Sequence, residues 1–87
     1  MRARAEVFVQ LKPGMLDPQG ETLEHALEGM GYESVDEMRV GKWITFRVEG
    51  SDPEEISERV EEMCRRLLAN PVIERYRFEI SDEESAG

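Results

Sequence analysis

Leu11-Lys12-Pro13-Gly14-Met15-Leu16-Asp17-Pro18-Gln19-Gly20 divides two different periodicities. Before it, residues 3–12 alternate. Ala5, Val7, Val9 and Leu11 point one way, and Arg4, Glu6, Phe8, Gln10 and Lys12 the other, as in a strand with one buried face. After it, Leu23, Ala26, Leu27 and Met30 recur at helical spacing and predict a helix over 18–30. Pro13-Gly14 breaks the strand, because Pro donates no ladder bond and Gly accepts unusual dihedrals. Asp17 is placed to cap the helix, with Pro18 at its first position. Gly31 supplies a left-handed stop.

The same grammar repeats downstream. Val35, Met38 and Val40 predict a weaker strand over 35–40, and Gly41-Lys42 reads as a tight hairpin turn. The returning strand spans 43–49, with Ile44, Phe46 and Val48 on one side and Trp43, Thr45, Arg47 and Glu49 on the other. Asp52, Pro53 and Glu55 open a second helix over 53–69 through a variant capping box. Its apolar stripe is Ile56, Val60, Met63, Cys64, Leu67 and Leu68. Asn70-Pro71 ends it, and residues 72–80 alternate as a last strand. Strand, helix, strand, strand, helix, strand with right-handed crossovers gives an α+β, ferredoxin-like βαββαβ fold. The expected sheet is antiparallel and four-stranded, in order 4-1-3-2, with both helices on one face. Residues 1–80 form the single domain, and 81–87 an acidic tail expected to be disordered.

Twenty Asp/Glu against eleven Lys/Arg give a net charge of −9, which opposes nucleic acid and anionic membrane. No stretch approaches the roughly 20 apolar residues of a membrane span, and the first residues read as strand rather than signal peptide. The single cysteine, Cys64, allows no intrachain disulfide and suits a reducing, cytoplasmic setting. It reads as a small core hydrophobe, and the lone His25 as a boundary residue. Among 87 residues no catalytic or metal-ligating constellation stands out. A chain this short buries only about 60% of its unfolded surface, so a partner or second copy is expected.

The helices cover one sheet face. On the other, Phe8, Trp43 and Thr45, with Ile73 on the adjoining edge, make an aromatic patch surrounded by arginines. Such a patch marks a docking surface for another protein or a second copy.

Three segments carry a family likeness. Val9 to Gly20 resembles the "V-x-L-K-x-x-x-L-D-P-Q-G" opening of the PurS family, the small subunit of phosphoribosylformylglycinamidine synthase. Met38-Arg39-Val40-Gly41-Lys42 resembles its "V-R-x-G-K" segment, with Met38 in place of a common Val. Met63 to Glu74 resembles its "C-x-x-L-L-A-N-x-V-I-E" segment. The resemblance implies a ferredoxin-like, non-catalytic subunit of an ATP-dependent ligase complex in purine biosynthesis. The subunit joins a glutaminase subunit, which releases ammonia from glutamine, to a large synthetase subunit. The synthetase uses ATP and Mg2+ to convert formylglycinamide ribonucleotide to formylglycinamidine ribonucleotide; the chain itself carries no cofactor. Self-association as a dimer or tetramer and a part in ammonia transfer are also implied. On this reading the partner or oligomer interface comprises Phe8, Lys12, Asp17, Pro18, Gln19, Gly20, Arg39, Gly41, Lys42, Trp43 and Ile73. The competing reading is a small ACT-like regulatory domain binding an amino acid at a dimer interface, for which Pro13-Gly14 is a weak version of the required glycine-rich loop.

Overall fold

The computed structural model describes residues 1–83. In chain order it forms β1 (Arg2–Leu11), α1 (Pro18–Gly29), β2 (Gly41–Glu49), α2 (Pro53–Met63), a π-helical turn (Cys64–Leu68) and β3 (Glu74–Asp82). The sheet is antiparallel, in order β2-β1-β3. β1 is central because its inward positions are small and apolar. Ala3, Ala5 and Val7 are fully buried, in one core cluster with Ile56 and Val60 of α2. From α2, Ile56 and Val60 are fully buried, followed by Cys64 in the π turn. Each such aliphatic side chain contributes about 1.5–3 kcal/mol. Burial pushes the Cys64 thiol up, consistent with a core role. Tyr76 closes one side of this layer. Its hydroxyl donates to Glu61 Oε1 at 2.6 Å, a bond that, with burial, pushes its pKa up to about 12.

Both helix starts follow the sequence. Asp17 Oδ1 accepts the Gly20 amide at 2.9 Å, and Asp52 Oδ1 accepts the Glu55 amide at 2.8 Å. The second box closes one residue early, since Glu55 returns its carboxylate to the Ser51 amide and hydroxyl rather than to Asp52. α1 ends in a Schellman motif: Gly31, at φ 101°, donates to Glu28, and Tyr32 donates to Leu27.

Four expectations need correction. First, residues 35–40 form no strand, so the sheet has three strands and the four-strand order is not reached within this chain. The segment's amides are taken by side chains: Glu24 accepts from Met38 N at 3.0 Å and Asp17 from Val40 N at 2.9 Å. Glu37, at φ 51°, also breaks an extended run.

Second, Gly41-Lys42 is no hairpin turn. Gly41 opens β2 opposite Gln10, and a Cβ there would lie 2.6 Å from the Val9 carbonyl oxygen. Third, the second helix leaves α geometry at Cys64. Ala69 N bonds to Cys64 O, five residues back, and the wider turn rotates Leu67 outward to 82% exposure. Fourth, Val72 and Ile73 lie in a turn before β3, held by Asn70, whose side chain accepts the Val72 amide. At the other end β3 continues to Asp82, two residues into the expected tail; residues 84–87 lie outside the described residues.

The two helices are not equivalent. No residue of α1 belongs to the core cluster. Leu23 is 46% and Met30 71% exposed, whereas Ile56 and Val60 of α2 are sealed. The Cα radius of gyration is 16.8 Å, against about 12 Å for a compact chain of this length. The apolar stripe that would lay α1 on the sheet is present, but among the described residues nothing covers Leu23 and Met30.

Candidate interaction surface

The register that pairs β1 with both neighbours aligns three outward side chains in one row. Phe8 stands opposite Trp43 on β2 and Arg77 on β3. The Phe8 and Trp43 rings are parallel within 3° at 6.4 Å, and the Arg77 guanidinium lies 4.1 Å from the Phe8 centroid. Arg77 is also bonded to Glu79, and the Trp43 indole N–H donates to Glu6 at 3.2 Å. Trp43 stays 67% exposed despite these contacts. In the next row Gln10 stands between Gly41 and Arg75, with Arg75 donating to the Gln10 side chain at 3.4 Å. These rows and Lys42 line a groove of about 600 Å³ at the end of the sheet.

A second constellation lies beside it. Asp17, 5% exposed, holds the α1 start with one oxygen and the Val40 amide with the other. Those amides, with the Arg39 charge nearby, keep its carboxyl below the usual range. Arg39 clamps the same loop from outside, donating to the Met15 and Lys12 carbonyls at 3.0 Å each. Gly20 is buried under the Met38 carbonyl, where a Cβ would lie at 2.5 Å. The result is a clasp that fastens residues 12–20 to residues 38–40.

The eleven sequence-derived interface residues therefore separate. Phe8, Gly41, Lys42 and Trp43 meet in the sheet-end groove. Lys12, Asp17, Gly20 and Arg39 are engaged in the clasp through main chain or side chain. Pro18 and Gln19 are exposed on the first turn of α1, and Ile73, 37% exposed, lies in the turn where its carbonyl accepts the Lys12 amide. The sequence list omitted Gln10, Arg75 and Arg77. Strand alternation already put them on the Phe8 face; only the cross-strand register shows that they are its neighbours.

Fold and surface together define a small α+β domain of the kind that oligomers are built from, with one sealed helix, one unpartnered helix and an aromatic, cationic sheet end. Comparison with known proteins gives the same class a specific form. Residues 4–82 match the family model described as PurS, phosphoribosylformylglycinamidine (FGAM) synthase. The chain belongs to the PurS family. It is 44% identical over 79 residues to the phosphoribosylformylglycinamidine synthase subunit PurS of Bacillus subtilis, covering 91% of this chain and 93% of that one. The crystal structure of Bacillus subtilis PurS superposes with a TM-score of 0.84 at 44% identity, covering 92% and 99% of the two chains. A chain of the structure of PurLQS from Thermotoga maritima superposes at 0.85 with 33% identity, covering 93% and 99%.

Proposed function

We propose that this chain is the small, non-catalytic subunit of phosphoribosylformylglycinamidine synthase. It assembles a glutaminase subunit with an ATP-dependent synthetase subunit in purine biosynthesis. The observation that carries this is the end-to-end likeness to a chain of a PurLQS assembly. ATP, Mg2+ and formylglycinamide ribonucleotide are handled by the synthetase, and ammonia from glutamine reaches it within the assembly. The setting is the cytoplasm; among the described residues no helix is long and apolar enough to cross a membrane.

The surface supports an assembly role. The apolar stripe of α1 and the groove between Phe46 and Met63, Leu67 and Leu68 are exposed apolar surfaces of the kind a second copy covers. β2 is an edge strand over nine residues, and its open edge is available to a second copy. Pro18, Gln19, Ile73 and the sheet-end groove are the remaining contact surface. The amino-acid-binding alternative gains no support from the 12–20 loop, where the Asp17 carboxylate and the Lys12 and Met15 carbonyls are bonded within the chain. The experiment is reconstitution: glutamine-dependent formation of formylglycinamidine ribonucleotide by the glutaminase and synthetase subunits requires this chain. Equal glutamine-dependent turnover without it would overturn the reading.

A further inference from the structure

We propose that β2 pairs with β2 of a second copy, antiparallel about a two-fold axis at Thr45, joining two three-stranded sheets into one of six strands. This rests on the assembly function proposed above and gives the association of copies an interface and a register.

β2 borders β1 on one side only, so alternate N–H and C=O groups along it point away from the sheet. Among the described residues no loop or side chain bonds to the main chain of residues 41–48 on that open side; Arg59 reaches only the Glu49 carbonyl. A two-fold axis normal to the sheet keeps outward residues on the outward face, so it pairs outward with outward and inward with inward. Of the registers this allows, only the one centred on Thr45 pairs all nine residues of Gly41–Glu49. On the outward face it sets Trp43 beside Arg47 of the second copy, a cation–π pair of the kind Arg77 and Phe8 already make. On the inward face it sets Ile44 beside Phe46 of the second copy, two half-buried apolar side chains. Thr45 meets its own counterpart, a favourable cross-strand pair. Gly41 stands opposite Glu49 and Lys42 opposite Val48, so no like charges face each other.

The other edge, β3, is better guarded. Its outward row is Arg75, Arg77, Glu79 and Ser81, and full antiparallel pairing with itself sets Glu74 opposite Asp82 of the second copy. Pairing β2 of one copy with β3 of the next is head-to-tail and adds copies without end, whereas β2 with β2 closes at two. A stable interface needs about 1,200 Å², more than one strand pair supplies, so the exposed Leu23 and Met30 of α1 take part in the same association. Strand pairing flanks the Trp43 indole from the side and leaves its outward surface open to other subunits.

The test uses the full-length chain. Thr45→Cys sets two thiols directly opposite each other, within reach of a disulfide. Mild oxidation is expected to link two copies through residue 45, with the buried Cys64 unreacted. Ser81→Cys, exposed on the outward face of β3, is expected to stay unlinked. Thr45→Lys and Thr45→Glu each set like charges on the axis, and each is expected to weaken the dimer about fivefold in sedimentation equilibrium. Their equimolar mixture is expected to recover it as a heterodimer, and circular dichroism shows each variant folded. Absence of the residue-45 disulfide, equally fast linking through Ser81→Cys, or affinities within twofold of wild type for both charged variants overturns the inference. A wild-type chain that stays monomeric also overturns it. Each of these results leaves the assembly function standing while glutamine-dependent turnover requires the chain; turnover that proceeds equally without the chain overturns that function instead.

Discussion

Gly20→Ala and Gly29→Ala are the same chemical change on the same helix, and the structure gives them opposite signs. In an exposed helix, Ala in place of Gly stabilises by roughly 0.5–1 kcal/mol. Gly29 has nothing within 4 Å of the added methyl, so that gain is expected in full. At Gly20 the methyl would meet the Met38 carbonyl oxygen at 2.5 Å and Asp17 Oδ2 at 2.9 Å, where ordinary contact begins near 3.4 Å. Relief requires the backbone to shift by nearly an ångström. The segment that must shift is pinned at both Met38 N and Val40 N by carboxylates. Overpacking of this kind costs about 1–3 kcal/mol, which exceeds the propensity gain. The net loss is up to about 2 kcal/mol, or a melting temperature lowered by up to roughly 8–16 °C in a domain of this size. Thermal unfolding of the full chain by far-ultraviolet circular dichroism measures it, and amide exchange at Met38 and Val40 localises it. A Gly20→Ala chain as stable as Gly29→Ala, with unchanged exchange, would refute the clasp.

Asp17 predicts an acid limit for the same clasp. Its folded pKa is depressed from 3.8, so its stabilisation is present above that value and lost as pH falls through the lower folded value. Exchange of the Val40 amide should therefore accelerate below about pH 4, and Asp17→Asn should remove that dependence. Tyr76 shifts the other way. Its bonded phenol is raised from 10.0 to about 12, so the contribution holds below pH 10 and fades as pH approaches 12. In a Tyr32→Phe background the phenolate band should titrate near 12, and Glu61→Gln should return the midpoint toward 10. Ile56→Val, which trims a fully buried side chain, should cost about 0.5–1.5 kcal/mol in urea unfolding. Leu23→Asp with Met30→Asp, both exposed in the single chain, should leave its circular dichroism unchanged and abolish self-association in sedimentation.

Local features of the fold were legible because each has a local cause. Asp17-Pro18 and Asp52-Pro53 start helices in any context where the next turn is apolar on one side. Gly31 ends one because only it takes φ 101° without strain. The alternation of residues 3–12 gave the central strand and its buried face. The features that escaped depend on groups distant in sequence. Val35, Met38 and Val40 have strand-like spacing, but carboxylates from the 17–24 region take the amides a strand would use. The π turn follows no composition rule, and it moves Leu67 from the core stripe to solvent.

Of the residues that line the sheet-end groove, Trp43 and Phe8 were readable from alternation alone. Arg39 and Asp17 belong to the motif that carries the family likeness, and in the folded chain their side chains bond their own backbone. Spacing cannot distinguish a residue that holds a loop from one that greets a partner.

If the chain assembles as proposed, other subunits cover the sheet end. Hydroxyl-radical footprinting of Trp43, in the chain alone and after adding the glutaminase and synthetase subunits, tests this most directly. Rapid oxidation of the isolated indole and strong protection in the assembly are expected. Co-elution of all three subunits with Trp43 oxidised as fast as before would contradict it.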